Sequence, residues 1–216
     1  MEELSLIRFS SGLLDTFSPY LASLTECNFI DMATYDSQCR HWVQNYLLNT
    51  TFRGRYPDPY HQIAMAYMRR AEAAFQEYEL GRDSLASYVA GRREAVSKYF
   101  SSIYHFEQFI AQAYQAYMLL RHLLGESCLY KAGDKSELDR LNQIYNHIKH
   151  SDSKLVSGAF PENGTMSTWL TNGGVHCQSA ELTCAEAVEI LEDIANGANR
   201  FGDPEAVLKE PYTENV

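Results

Sequence analysis

Between residues 60 and 126 apolar positions recur at the helical period, with no proline and only three glycines to interrupt them. In "PDPYHQIAMAYMRRAEAAFQEYELG" the repeat runs through Ile63, Tyr67, Ala71, Ala74 and Tyr78, which predicts one helix that opens just after the prolines and stops at Gly81. The next repeat is longer. Val96, Tyr99, Ile103, Phe106, Ile110, Ala113, Tyr117, Leu120 and Leu124 follow at alternating spacings of three and four, a continuous seam that ends at Gly125. A two-stranded coiled coil would need that seam alone. A second apolar set, Phe100, Tyr104, Phe109, Tyr114 and Met118, widens the arc and favours the core helix of an antiparallel bundle.

The flanks are patterned differently. Towards the N-terminus, "SPYLASLTECNFIDMATYDSQCRHWVQNYLL" reads as one or two more helices, with Trp42, Val43, Tyr46 and Leu47 as the firmest apolar face. Past residue 155, "TMSTWLTNGGVHCQSAELT" places an Asn-Gly-Gly turn between short β-branched and aromatic runs, the local signature of a β-hairpin. Thr183 and Glu186 then form a capping box ahead of "CAEAVEILEDIANGANR", whose buried side is Val188, Leu191, Ile194, Ala195 and Ala198. The expected fold is therefore mainly α: an antiparallel helical bundle over residues 1–155, and a small C-terminal β-hairpin with an acidic terminal helix over 156–216. A lone hairpin is marginal in water, so the second part should pack on the first as one domain.

At 216 residues and 45% hydrophobic content the chain can bury one large core. No apolar run approaches the length of a membrane span, and the opening "MEELSLIRFSSGLLD" carries acids where a leader would carry bases, so a cytoplasmic protein without membrane contact is expected. Charge is uneven. Residues 1–155 hold 16 Lys and Arg against 18 Asp and Glu, whereas residues 156–216 hold 2 against 10, so the acidity belongs to the tail. The near-neutral body carries basic spots at Arg53 and Arg55, Arg69 and Arg70, and Arg92, Arg93 and Lys98, which permit RNA binding without implying it. Five widely spaced cysteines without a C-x-x-C pair predict buried free thiols, and neither His176, Cys177 and Cys184 nor Cys39 and His41 has the paired spacing of a zinc site. Neither a metal nor a cofactor is expected. Gly-rich phosphate loops, the Gly-x-Ser-x-Gly elbow and paired Glu-x-x-His motifs do not occur, which removes the common enzyme classes that use them.

Chemistry concentrates in "DRLNQIYNHIKHSD", residues 139 to 152. On a wheel of about 100° per residue, Leu138, Leu141, Ile144, Tyr145 and Ile148 form the core side. Arg140 and His147, seven apart, lie in line on one flank, and Asn146 and His150, four apart, lie on the far side with Asp139 and Gln143. Histidine near its ordinary pKa can take a proton from a ribose 2′-hydroxyl, and a guanidinium beside it can stabilise charge building on phosphate. Taken as ordinary surface, the same residues are solvated or capping groups, with Asp139 balancing Arg140.

A bundle with a long aromatic-rich helix followed by a short one carrying Arg, Asn and His resembles the HEPN domains (higher eukaryotes and prokaryotes nucleotide-binding), over roughly residues 60 to 150. The resemblance implies a metal-independent RNA endonuclease that acts as a dimer, with the motif Arg, four to six residues, then His, often with Asn directly after the Arg. Arg140 and His147 satisfy that spacing. In the form with Asn second, Asn146 and His150 fall in place, but Tyr145 stands where the family has Arg, and a neutral tyrosine on the apolar side cannot hold a phosphate. The candidate catalytic residues are Arg140, Asn146, His147 and His150, with Glu107 of the long helix expected to reach the Asn146 and His150 side. The function implied is of prokaryotic defence or toxin–antitoxin type. The alternative is a non-catalytic subunit that binds a partner protein through the polar helix and the acidic C-terminal segment.

Overall fold

The structure, a computed structural model, describes residues 15–16, 18–32, 35, 41–91, 96–126, 129–158 and 166–209. Cys39, Cys128, Arg92 and Arg93 lie outside them. After a 3-10 turn at Leu21–Ser23, the helices are α1 (Trp42–Phe52), α2 (Tyr60–Ala90), α3 (Val96–Leu124), α4 (Glu137–Lys149) and α5 (Ser151–Val156). Strands β1 (Trp169–Leu170), β2 (Gly174–His176) and β3 (Glu181–Thr183) follow, and helices α6 (Cys184–Phe201) and α7 (Pro204–Lys209) close the described chain.

The long hairpin of α2 and α3 is the frame of the molecule. The α3 seam is buried from Tyr99 to Leu120, as its spacing predicts, and Gly125 leaves the helix at φ +72°. The second set divides: Phe109 is buried, while Phe100 and Tyr104 lie open to solvent. Helix α2 does not stop at Gly81. It continues about two and a half turns further, to Ala90, because Gly81 is a contact residue: a Cβ there would sit 3.1 Å from the Phe106 ring, and its carbonyl accepts the Ser102 hydroxyl at 2.7 Å. The glycine lets two helices approach while the backbone keeps its helical bonds.

One core cluster joins these elements other than α5, with Trp42 and Tyr46 of α1, Leu141 and Ile144 of α4, Leu170, Val175 and Leu182 of the strands, and the inner side of α6. Of the face expected on α1, Leu47 is turned outward. Among its described residues the N-terminal stretch supplies one α-helix, α1, and the 3-10 turn. Residues 24–32 run without regular structure, and Phe29 lies against Tyr78 and Phe106.

The expected hairpin is the first half of a three-stranded antiparallel sheet in the order β1-β2-β3. Val175 pairs with Leu170 on one side and Leu182 on the other, which puts three apolar side chains on the buried face. Gly174 allows the close approach of β3, since a Cβ would lie 2.1 Å from the Leu182 carbonyl oxygen. The sheet runs directly into α6 through the predicted capping box, with the Thr183 hydroxyl accepting from the Glu186 amide and the Glu186 carboxylate accepting from the Thr183 amide. Among the described residues no helix is long and apolar enough to cross a membrane.

Candidate functional site on the polar helix

The polar helix α4 starts where its sequence places a cap. Ser136 accepts the Asp139 amide, and the buried Asp139 carboxylate accepts the amides of Gly133 at 3.0 Å and Lys135 at 3.4 Å and the Gln143 side chain at 2.9 Å. Asp139 therefore closes the preceding loop on the helix, where Gly133 and Lys135 both have positive φ, and does not serve as a counter-charge to Arg140.

Arg140 points towards the sheet. Its guanidinium donates to the Lys135 carbonyl and pairs with the Glu186 carboxylate, the same carboxylate that caps α6. Burial alone would raise the Glu186 carboxyl, but the Thr183 amide, Arg140 and the Thr183 hydroxyl together hold it below the usual carboxylate range. The result is a junction between α4, the loop before it and the start of α6.

His147 lies two turns along, about 10 Å up the helix axis from Arg140. It is buried, with Nδ1 3.1 Å from the Lys154 ammonium of α5. Burial first, and the Lys154 charge second, depress its pKa, so the neutral ring, with Nδ1 accepting a hydrogen bond from the Lys154 ammonium, is the favoured form. Asn146 and His150 occupy the exposed side. The Asn146 amide donates to Asn142 at 2.9 Å, and His150 ends α4 with its backbone amide on the Asn146 carbonyl before α5 begins. Tyr145, at the position where the HEPN motif carries Arg, stacks on Tyr114 with centroids 4.4 Å apart. The four candidate residues thus divide three ways: Arg140 to the sheet junction, His147 to α5, Asn146 and His150 to solvent.

Glu107 is occupied elsewhere. Its carboxylate accepts the Ser167 and Thr168 hydroxyls and so holds the segment leading into β1, with burial raising its pKa against those two hydrogen bonds. A further titratable pair, not singled out by the sequence pattern, lies between α2 and α3, where the His105 ring is 2.8 Å from the half-buried Glu77 carboxylate. Arg70–Gln112 and Ser84–Ser101 flank it along the same hairpin. The heptad interval of positions 70, 77 and 84 was the legible signal. A carboxylate-oriented imidazole can act as a base, but Arg70, the neighbouring cation of this row, donates to Gln112.

Among the described residues no group of three or more His, Cys, Asp and Glu side chains is gathered so as to hold a metal ion. No family model, curated protein or solved structure matches the chain.

What the polar helix can do follows from these contacts. A phosphate held bidentately by Arg140 would have to displace its ion pair with the Glu186 carboxylate. The outer side of α4, by contrast, leads into α5, which buries none of its residues and leaves Leu155 and Val156 50% and 90% exposed.

Proposed function

We propose that this chain is a non-catalytic, HEPN-like interaction subunit of a prokaryotic defence or toxin–antitoxin system, which binds a partner protein through the exposed elbow of α4 and α5. The observation that carries the reading is the commitment of Arg140 to Lys135 and Glu186, which withdraws the one guanidinium in the motif from phosphate chemistry. The elbow exposes apolar Leu155 and Val156 on α5 and polar Asn146, Lys149 and His150 at the end of α4, a mixed composition suited to an interface. The acidic outer face of α6, with Glu189, Glu192 and Asp193 exposed, adds a charged surface suited to a basic partner.

Size-exclusion chromatography with light scattering, on the protein alone and mixed with the product of the adjacent gene, tests the reading. A stable complex that is lost in a Leu155→Asp, Val156→Asp variant supports it. A homodimer that forms alone and survives that variant counts against it.

A second reading keeps the metal-independent ribonuclease and is favoured by one contact. Lys154 beside a neutral His147 pairs a cation with a base, the combination that a 2′-hydroxyl attack on phosphate requires. In that reading two protomers would bring their α4–α5 elbows together on RNA.

A further inference from the structure

Helix α5 is held to the rest of the fold by very little. So short a helix is not stable alone in water, and none of the residues from Ser151 to Val156 is buried. The hydroxyls of Ser151 and Ser153 donate to the carbonyls of Ile148 and His150, each three residues back, so they fasten the turn between the helices and not α5 itself. Among the described residues, the hydrogen bond that ties an α5 side chain to a side chain of another helix runs from the Lys154 ammonium to His147 Nδ1 at 3.1 Å.

That contact is possible in one protonation state alone. A neutral imidazole accepts at Nδ1, whereas an imidazolium carries two N–H donors and no acceptor, and an ammonium can only donate. Proton uptake therefore replaces a hydrogen bond by two cations at contact distance, on a ring that is buried and poorly screened by water. Among the described residues Lys154 is the charge that acts on the ring. The acids on the elements packed against α4 are engaged with other groups: Glu186 of α6 with Arg140, Glu181 of β3 with His176, and Glu107 of α3 with Ser167 and Thr168. Asp152, in the first turn of α5, is exposed. We infer that α5 is a proton-operated flap, docked and helical while His147 is neutral, released and unwound once His147 takes up a proton. Burial and Lys154 both depress the ring's pKa, which puts the change below the ordinary histidine value of about 6.5. Leu155 and Val156 are then presented on an ordered helix only above that point, and the surface proposed for a partner is withdrawn in acid. The flap itself works whether or not the elbow carries a partner.

The test is a pH titration of the full chain followed by NMR, reading the His147 ring and the 13Cα shifts of residues 152–156 in the same samples. As pH is lowered from about 8 until the ring is protonated, the helical shifts of α5 should fall by about half or more with the midpoint of the ring, while those of residues 137–146 hold. His147→Gln, whose amide oxygen can accept from Lys154 and does not titrate, should keep α5 helical throughout, and His150→Gln should behave as the wild type. If His147→Gln does not fold, the joint titration of the wild type decides alone. Constant α5 shifts while the ring titrates, a midpoint different from that of the ring, α5 shifts that change only together with those of α4, or unwinding that persists in a folded His147→Gln variant or vanishes in His150→Gln would overturn the inference.

Discussion

Gly197→Ala tests how α6 is seated on the α2–α3 hairpin. The new Cβ would lie 2.3 Å from the Tyr67 hydroxyl oxygen and 3.1 Å from both its Cζ and Leu120 Cδ1. Tyr67 has no room to retreat, because it is fully buried and its hydroxyl donates to the Ile194 carbonyl at 2.9 Å. Helix propensity works the other way and favours alanine by about 1 kcal/mol in the interior of a helix. Against that stand a displaced buried hydrogen bond, costing about 1–3 kcal/mol, and an overpacked contact, costing about 1–3 kcal/mol. The net expectation is a destabilisation of about 1–5 kcal/mol, read by urea unfolding with an unchanged m value. The closest contact is with one oxygen, so the Tyr67→Phe background should relieve most of the clash and give a coupling of about 1 kcal/mol or more in the double-mutant cycle. If Gly197→Ala is neutral or stabilising, or costs the same in both backgrounds, α6 does not approach the hairpin as described.

Three other perturbations follow from the polar contacts. Arg140→Ala should cost about 1–3 kcal/mol in urea unfolding by leaving the Glu186 carboxylate without its ionic partner, and Arg140→Lys should restore only part of it, because an ammonium cannot span Lys135 and Glu186 as a planar fork does. His147 has its pKa depressed in the fold, so its contribution to stability is complete above the unfolded value of about 6.5 and is lost as pH falls through the folded one. The melting temperature should drop on acidification below that point, and His147→Gln should flatten this part of the profile. Glu107 is the opposite case: its folded pKa is raised, so its favourable contribution is present below the unfolded carboxylate value and declines as pH rises. Glu107→Gln keeps an acceptor for Ser167 and Thr168, and its melting temperature at neutral pH should equal or exceed that of the wild type.

What could be read from the sequence was set by short range. The α3 seam and the Thr183–Glu186 box depend on neighbours within one or two turns, and both lie where the pattern puts them. Gly81 misled because its reason is the Phe106 ring, 25 positions away in the chain, and a glycine at a helix contact looks the same in sequence as one at a helix end. β3 was missed because three residues carry no periodicity, and these three run directly into a helix cap. The candidate site suffered most from distance. Arg140 meets a partner 46 residues on, and His147 meets Lys154 because the chain turns at His150 and α5 follows. Helical wheels place side chains on faces, but they do not say what covers the face.

The central claim, that the polar helix is a binding surface and not a nuclease centre, is tested most directly by incubating the purified protein with mixed single-stranded RNA in the presence of a chelator. RNA that remains intact at every protein concentration is the predicted result. Cleavage by the wild type that disappears in a folded His147→Ala or Lys154→Ala variant would contradict the claim.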